Sequence, residues 1–253
     1  MGESEWADAM QECLEYEARG GGGGLEGKAG ELLRCRRKVE VQKEIARCVQ
    51  KVKNSKLHAF KEELRGRTRV LRRMQYVDEE GMVTVKGRCA CEVEISQDLV
   101  AVEMMLAGAF IGVDPADIAA VVSCLVVEEK DDSAGHLQEF NLKPLLEQIS
   151  ESRRAIYKAQ AKAGLSQSEP EAVNTCLMDL IHAWCKGAEF SELCKQTNLF
   201  EGSIIRAMRR EAELLRQMVS GAAAIGDSEM EKKFEEALAQ LQRGLPFSAS
   251  LYL

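Results

Sequence analysis

One stretch concentrates the side chains that could do chemistry: "TNLFEGSIIRAMRREAELLRQM", residues 197–218, which holds Arg206, Arg209, Arg210, Arg216, Glu213 and Gln217. Read as a helix, Arg206, Arg210, Glu213 and Gln217 recur at three- and four-residue steps, so they share a face, with Arg209 and Arg216 beside it. Such a face can hold phosphates as point charges or stack guanidinium planes on unpaired bases. The same residues also permit ordinary helix salt bridges, with Arg209 and Arg210 reaching Glu213 at i+4 and i+3. Residue types alone leave both readings open. The opposite face carries Ile204, Met208, Ala212 (or Glu211), Leu215, Val219 and Ala222 at core spacing.

Other chemistry is conspicuous by its absence from the sequence. There is no Gly-x-x-x-x-Gly-Lys-Ser/Thr loop to cradle phosphates; "GLEGKAG" has neither the spacing nor a preceding apolar strand. His58, His136 and His182 lie far apart, and His182 beside Trp184 reads as a helix-surface residue. Nine cysteines include no Cys-x-x-Cys pair, and Cys89-x-Cys91 in a strand would suit packing better than tetrahedral ligation. The odd count predicts reduced thiols. The expectation is no catalytic residue, no metal and no cofactor in this chain.

The elements that must position these residues are mostly helical. The chain has 253 residues, is 45% hydrophobic and 5% aromatic, contains four prolines, and carries a net charge of -7. That charge excludes a protein basic throughout. Residues 31–73, however, hold fifteen Lys/Arg against five Asp/Glu. No apolar run approaches the roughly 20 residues of a membrane span, and no membrane partner is expected. "RGGGGG" within residues 1–30 predicts a disordered tail. Residues 31–60 predict a basic helical arm with a thin stripe of Val39, Val41, Ile45, Val49 and Val52.

A helix through Val70, Leu71 and Met74 follows, and the alternation in "MVTVKGRCACEVEI" predicts two short strands over Val83–Ile95 around Lys86-Gly87. Helix then hairpin is the ending of a winged helix. Beyond it come a helix over 97–109, one started by Asp114 and Pro115, an amphipathic segment over 137–163 broken near Pro144, and a helix over 171–187 closed by Gly187. A short helix over 191–196 precedes the arginine-bearing helix and a last one from Ser228. The fold class expected is mostly α, a helical bundle preceded by a winged-helix remnant with a small β-hairpin wing and a helical arm.

"FEGSIIRAMRR", "ELLRQM", "AIG" and the terminal "SLYL" resemble the DSHCT region, the C-terminal domain of superkiller-like DExH RNA helicases that serve the RNA exosome. "VLRRMQY", "VKGRCACE", "AWCKGAEFSELCK" and "KFEEALAQLQR" match that family in the same order, from about Cys35 to the last residue. "MRR…ELLRQM" looks closer to the nuclear exosome-cofactor branch.

The resemblance implies that residues 31–60 are the returning arm of an arch-like insertion, 61–96 the end of a winged-helix domain, and 97–253 the helical bundle closing the RNA path. It implies that Ser203 to about Ser220 is a "ratchet" helix touching single-stranded RNA, with Arg210 and Glu213 at its RNA-facing positions and Arg206, Arg209 and Gln217 beside them. The partners implied are single-stranded RNA, RecA-like helicase motor domains, and the nuclear exosome with its adaptors. ATP and magnesium would be bound by motor domains outside this sequence, and the location implied is nuclear. The competing expectation is a stand-alone helical interaction module with no RNA role. Two departures stand out: Arg210-Glu211-Ala212-Glu213 where the family has Arg-Leu-Glu-Glu, and a Gly244- and Pro246-bearing ending.

Overall fold

A computed structural model describes residue 15 and residues 25–94, 97–128 and 142–248. The "RGGGGG" run, His136, Cys13 and the terminal "SLYL" lie outside the described residues. The chain divides into two units, Met1–Glu62 and Glu63–Leu253.

Helix α1 spans Leu25–Arg73, so it starts inside the segment read from sequence as tail. Over 33–62 every side chain is exposed, including Val39, Val41, Ile45, Val49 and Val52. Pairs one turn apart support the helix, Arg36 with Glu40 at 3.2 Å and Gln50 with Asn54 at 3.0 Å. Such pairs add only a few tenths of a kcal/mol each (~0.2–0.5).

The second unit holds the core. Val70, on the last turns of α1, packs with Ala159 and Ala163. Gln75, at φ 64°, then turns the chain out of the helix. Here the hairpin expectation fails. Residues Val85–Cys91 form helix α2, with Thr84 as N-cap accepting from the Gly87 amide at 3.1 Å. Among the described residues the β content is one isolated antiparallel bridge, Val77 to Val83, so neither a two-stranded wing nor a winged-helix remnant is supported.

The physical reason lies in burial. Val83 and Val85 are half exposed, whereas Cys89 and Val93, one helical turn apart, are buried. Period-2 alternation over so few residues coincides with an i, i+4 pattern. Cys89 and Cys91 also end up differently, the first buried and the second exposed.

The bundle then runs α3 (Asp98–Leu106), α4 (Pro115–Val126), α5 (Lys143–Lys162), α6 (Met178–Cys185), α7 (Phe190–Leu193), α8 (Glu201–Ile225) and α9 (Ser228–Leu241), ending in a 3-10 turn at Leu245–Phe247. Helix α4 is central: from Ala116 to Val126 only Asp117 escapes full burial. Asp114 caps it through the Ala116 amide at 2.9 Å, with Pro115 in the first turn. Helix α6 is shorter than expected, because residues 171–175 are non-helical.

Gly226, at φ 81°, closes α8, and Asp227 at once caps α9 through the Met230 amide at 3.0 Å. Phe110 and Phe234 meet edge to face at 5.3 Å. The indole N–H of Trp184 donates to the Leu241 carbonyl at 2.8 Å, and the Arg243 guanidinium lies 3.7 Å from its ring. Gly244 takes φ 61° against the same ring. The unusual ending is thus packed, with Pro246 buried.

Candidate nucleic-acid interface

Helix α8 is the longest helix lying wholly within the second unit. Ile204, Met208, Ala212, Leu215, Met218 and Ala222 are fully buried, fixing the rotation of the helix. Met218 takes the core place expected for Val219, which is half-buried. Glycine at 221 permits close approach: a Cβ there would stand 3.1 Å from the Cys89 sulfur. With its apolar side so fixed, α8 turns Arg206, Arg209, Arg210, Glu213 and Arg216 to solvent.

Arg206, Arg209, Arg210 and Glu213 line one shallow groove with Gly202 and Ile205. Their partners differ. Arg206 has no carboxylate within ion-pair reach among the described residues. Arg210 Nη1 pairs with Glu128 at 3.0 Å, both side chains remaining largely exposed. Arg209 is tied inward, its Nε donating to the Pro246 carbonyl at 2.7 Å and its Nη2 to that of Ser248 at 3.4 Å. Glu213 pairs with Arg216 and accepts from Gln217 Nε2 at 3.4 Å. Gln217 Oε1 accepts from the Glu94 amide at 2.9 Å.

The intrahelical pairs expected of Arg209 and Arg210 with Glu213 do not form; Arg216 takes that carboxylate. The groove therefore offers Arg206 without a counter-ion among the described residues, Arg210 held by a surface pair worth about 0–1 kcal/mol, and a flanking carboxylate. Gln217 stands outside the groove and holds the chain following α2.

Glu211 was legible in the sequence as a charge at a core position. It is 1% exposed, and its Oε1 has no hydrogen-bond partner. Burial raises its carboxyl well above the ordinary carboxylate range. Burial likewise pushes the nearby Cys124 and Cys185 thiols up to about 12, with Glu211 adding to both.

Elsewhere, His182 Nε2 lies 3.2 Å from Asp117 and Lys186 Nζ 3.0 Å from Asp114. His182 is mostly covered rather than freely on the surface, and desolvation lowers its pKa against the pull of Asp117. No cluster of three or more His, Cys, Asp or Glu suited to a metal occurs among the described residues.

Comparison with known proteins adds a second line of observation. The DSHCT (NUC185) domain model matches residues 80–248. The chain is 39% identical over 221 residues to DExH-box ATP-dependent RNA helicase DExH10 of Arabidopsis thaliana, covering 86% of this chain and 22% of that protein. It is 37% identical over 222 residues to Exosome RNA helicase MTR4 of Homo sapiens, covering 87% and 21%. To Superkiller complex protein 2 of Homo sapiens it is 32% identical over 225 residues, covering 88% and 18%. The chain thus spans about a fifth of the length of these relatives.

Proposed function

We propose a role that proceeds from one premise: this chain belongs to the DSHCT family and is the C-terminal region of an exosome-associated RNA helicase. In that role α8 contacts single-stranded RNA as it leaves the motor, and the bundle docks on RecA-like motor domains. The observation that carries the reading is the groove of Arg206, Arg209 and Arg210 on a helix whose other side is locked in the core. A rigid row of guanidinium groups suits a strand that must be held and released, because each contact is strong only while geometry is kept.

The helicase would thread RNA in the 3′-to-5′ direction for processing and decay, in the nucleus, with the nuclear exosome and its adaptors as partners. ATP and magnesium would be bound by the motor domains, since this sequence has no phosphate-cradling loop. The identity of 37% to a protein named for the exosome supports the partner reading.

Two observations favour the competing reading of a helical interaction module without an RNA role: Arg209 is engaged with backbone carbonyls, and Arg210 with Glu128. Fluorescence anisotropy of the purified chain with a single-stranded RNA oligomer, at low and high salt, separates the two. RNA contact predicts binding that weakens steeply as salt rises. No binding at low salt would leave the interaction module.

A further inference from the structure

Among the described residues, Arg210 is the only arginine lining the α8 groove that pairs with a carboxylate, that of Glu128, whose Oε1 lies 3.0 Å from its Nη1. The two meet across elements and not along one helix. Glu128 follows α4 closely, and Val126 and Val127 just before it are buried, so the chain is anchored in the core up to the residue that carries the charge. Arg210 stands between the fully buried Met208 and Ala212, and α4 and α8 pack together. Buried backbone thus delivers both charges to one place. Both side chains nevertheless stay in water, 47% exposed for Arg210 and 74% for Glu128.

Such a pair does little for the bundle, because solvent and salt screen it. Arg209 next to it shows what a structural arginine looks like here, bonded to the neutral carbonyls of Pro246 and Ser248. A carboxylate is different, since it offers a guanidinium the same anionic oxygens that a phosphate does. Glu128 holds one nitrogen of Arg210 through one oxygen, whereas a phosphate can take the guanidinium fork with two. A strand entering the groove must therefore evict Glu128. When the phosphate leaves, the carboxylate recovers Arg210.

We propose, on the RNA reading of α8, that Glu128 is an intramolecular competitor of RNA phosphate for Arg210, an autoinhibitory contact that sets how tightly the groove holds a strand. The exchange has a signature in salt. A phosphate docking on a free guanidinium sheds its condensed cation into solution. Docking on Arg210 also leaves Glu128 without its counter-ion, and the freed carboxylate draws a cation back. The Arg210 contact therefore adds less to the salt dependence than a contact to an unpaired arginine would.

The test titrates the full chain, Glu128→Gln, Arg210→Ala and the double variant with a short single-stranded oligouridylate across a salt series. Glu128→Gln keeps the size of the side chain and removes its charge. It is expected to tighten binding about three- to fivefold at low salt, the size of an exposed pair, and to steepen the salt slope by about 0.7 unit, that of one single-strand phosphate contact. The melting curve should not move. On the Arg210→Ala background the same change is expected to do far less, since nothing is left to compete for. Binding by Glu128→Gln where the parent binds nothing would be the strongest form of that result. Equal tightening with and without Arg210 would reduce Glu128 to general repulsion of the strand and overturn the proposal. If Arg210→Ala weakens binding while Glu128→Gln binds as the parent does, the competitor is wrong and the groove reading stands. If neither the parent nor Glu128→Gln binds at low salt, both fall.

Discussion

Glu211 places a carboxyl group where α8 needs hydrocarbon. Unfolded, it ionises near its ordinary value of 4.5; folded, it keeps its proton to far higher pH because burial penalises the charge. The facing titratable groups are the Cys124 and Cys185 thiols, neutral at these pH values. Its contribution to stability is therefore fully present below pH 4.5 and is lost as pH rises from there towards the folded pKa. Melting temperatures of the parent should fall with rising pH by more than those of Glu211→Gln, whose side chain cannot ionise. Glu211→Leu should also raise stability at neutral pH by about 1–3 kcal/mol, the usual cost of burying a polar group without a partner.

The arginines part company at this scale too. Arg209→Ala removes a charge-assisted bond to the Pro246 carbonyl and should lower stability by about 1–3 kcal/mol. Arg210→Ala breaks only an exposed pair, so melting should barely move while RNA affinity falls by about 1–3 kcal/mol. Sequence placed Arg210 on the polar face and Arg209 beside it but could not foresee their different partners, because that of Arg209 lies 37 residues away in a segment whose packing no local pattern announces.

At the scale of elements, helices with long periodic stripes or explicit caps were legible. Asp114-Pro115 marks the start of α4, and the recurrence of apolar steps the rotation of α8. The misread element is α2. Thr84 and Gly87 carried its true signal, a cap residue and the amide it accepts from, but the valines on either side drew the eye to a period of two. Gly87 is also where the helix meets its neighbour: a Cβ would fall 2.2 Å from the Tyr76 carbonyl oxygen. Gly87→Ala should therefore force α2 away from that turn and cost about 1–3 kcal/mol, read as a lowered denaturation midpoint. A hairpin turn at Lys86-Gly87 would instead tolerate alanine according to its φ alone, so the variant separates the two local structures. The residues before α6 escaped for another reason: their apolar members, Val173 and Cys176, join the core from non-helical chain, where helical spacing has no meaning.

For the whole molecule, the main core of the second unit is one apolar cluster from Tyr76 to Leu241, beside a small one of Val70, Ala159 and Ala163. Leu215→Ala, at its centre on α8, should cost about 2–5 kcal/mol through the cavity it leaves. No described helix is long and apolar enough to cross a membrane. RNA-stimulated ATP hydrolysis by the purified chain should not exceed that of a mock preparation, since the sequence holds no phosphate-cradling loop. Turnover removed by mutating any residue of this chain would contradict that. The family was legible from ordered motifs; which side chains remain available to a ligand was not, because that depends on what the folded chain already binds internally.

Trp184 gives the chain an optical reporter. The sequence has two tryptophans, and this one is buried with its N–H on the Leu241 carbonyl and the Arg243 guanidinium against its face. Any event that lifts the end of α9 from α6 strips the indole of its hydrogen bond, its cation and its dry surroundings together. Its emission would then shift to the red while most helices are still formed. Fluorescence and circular dichroism, followed in parallel during denaturation, would part company wherever the closing helix undocks ahead of the rest.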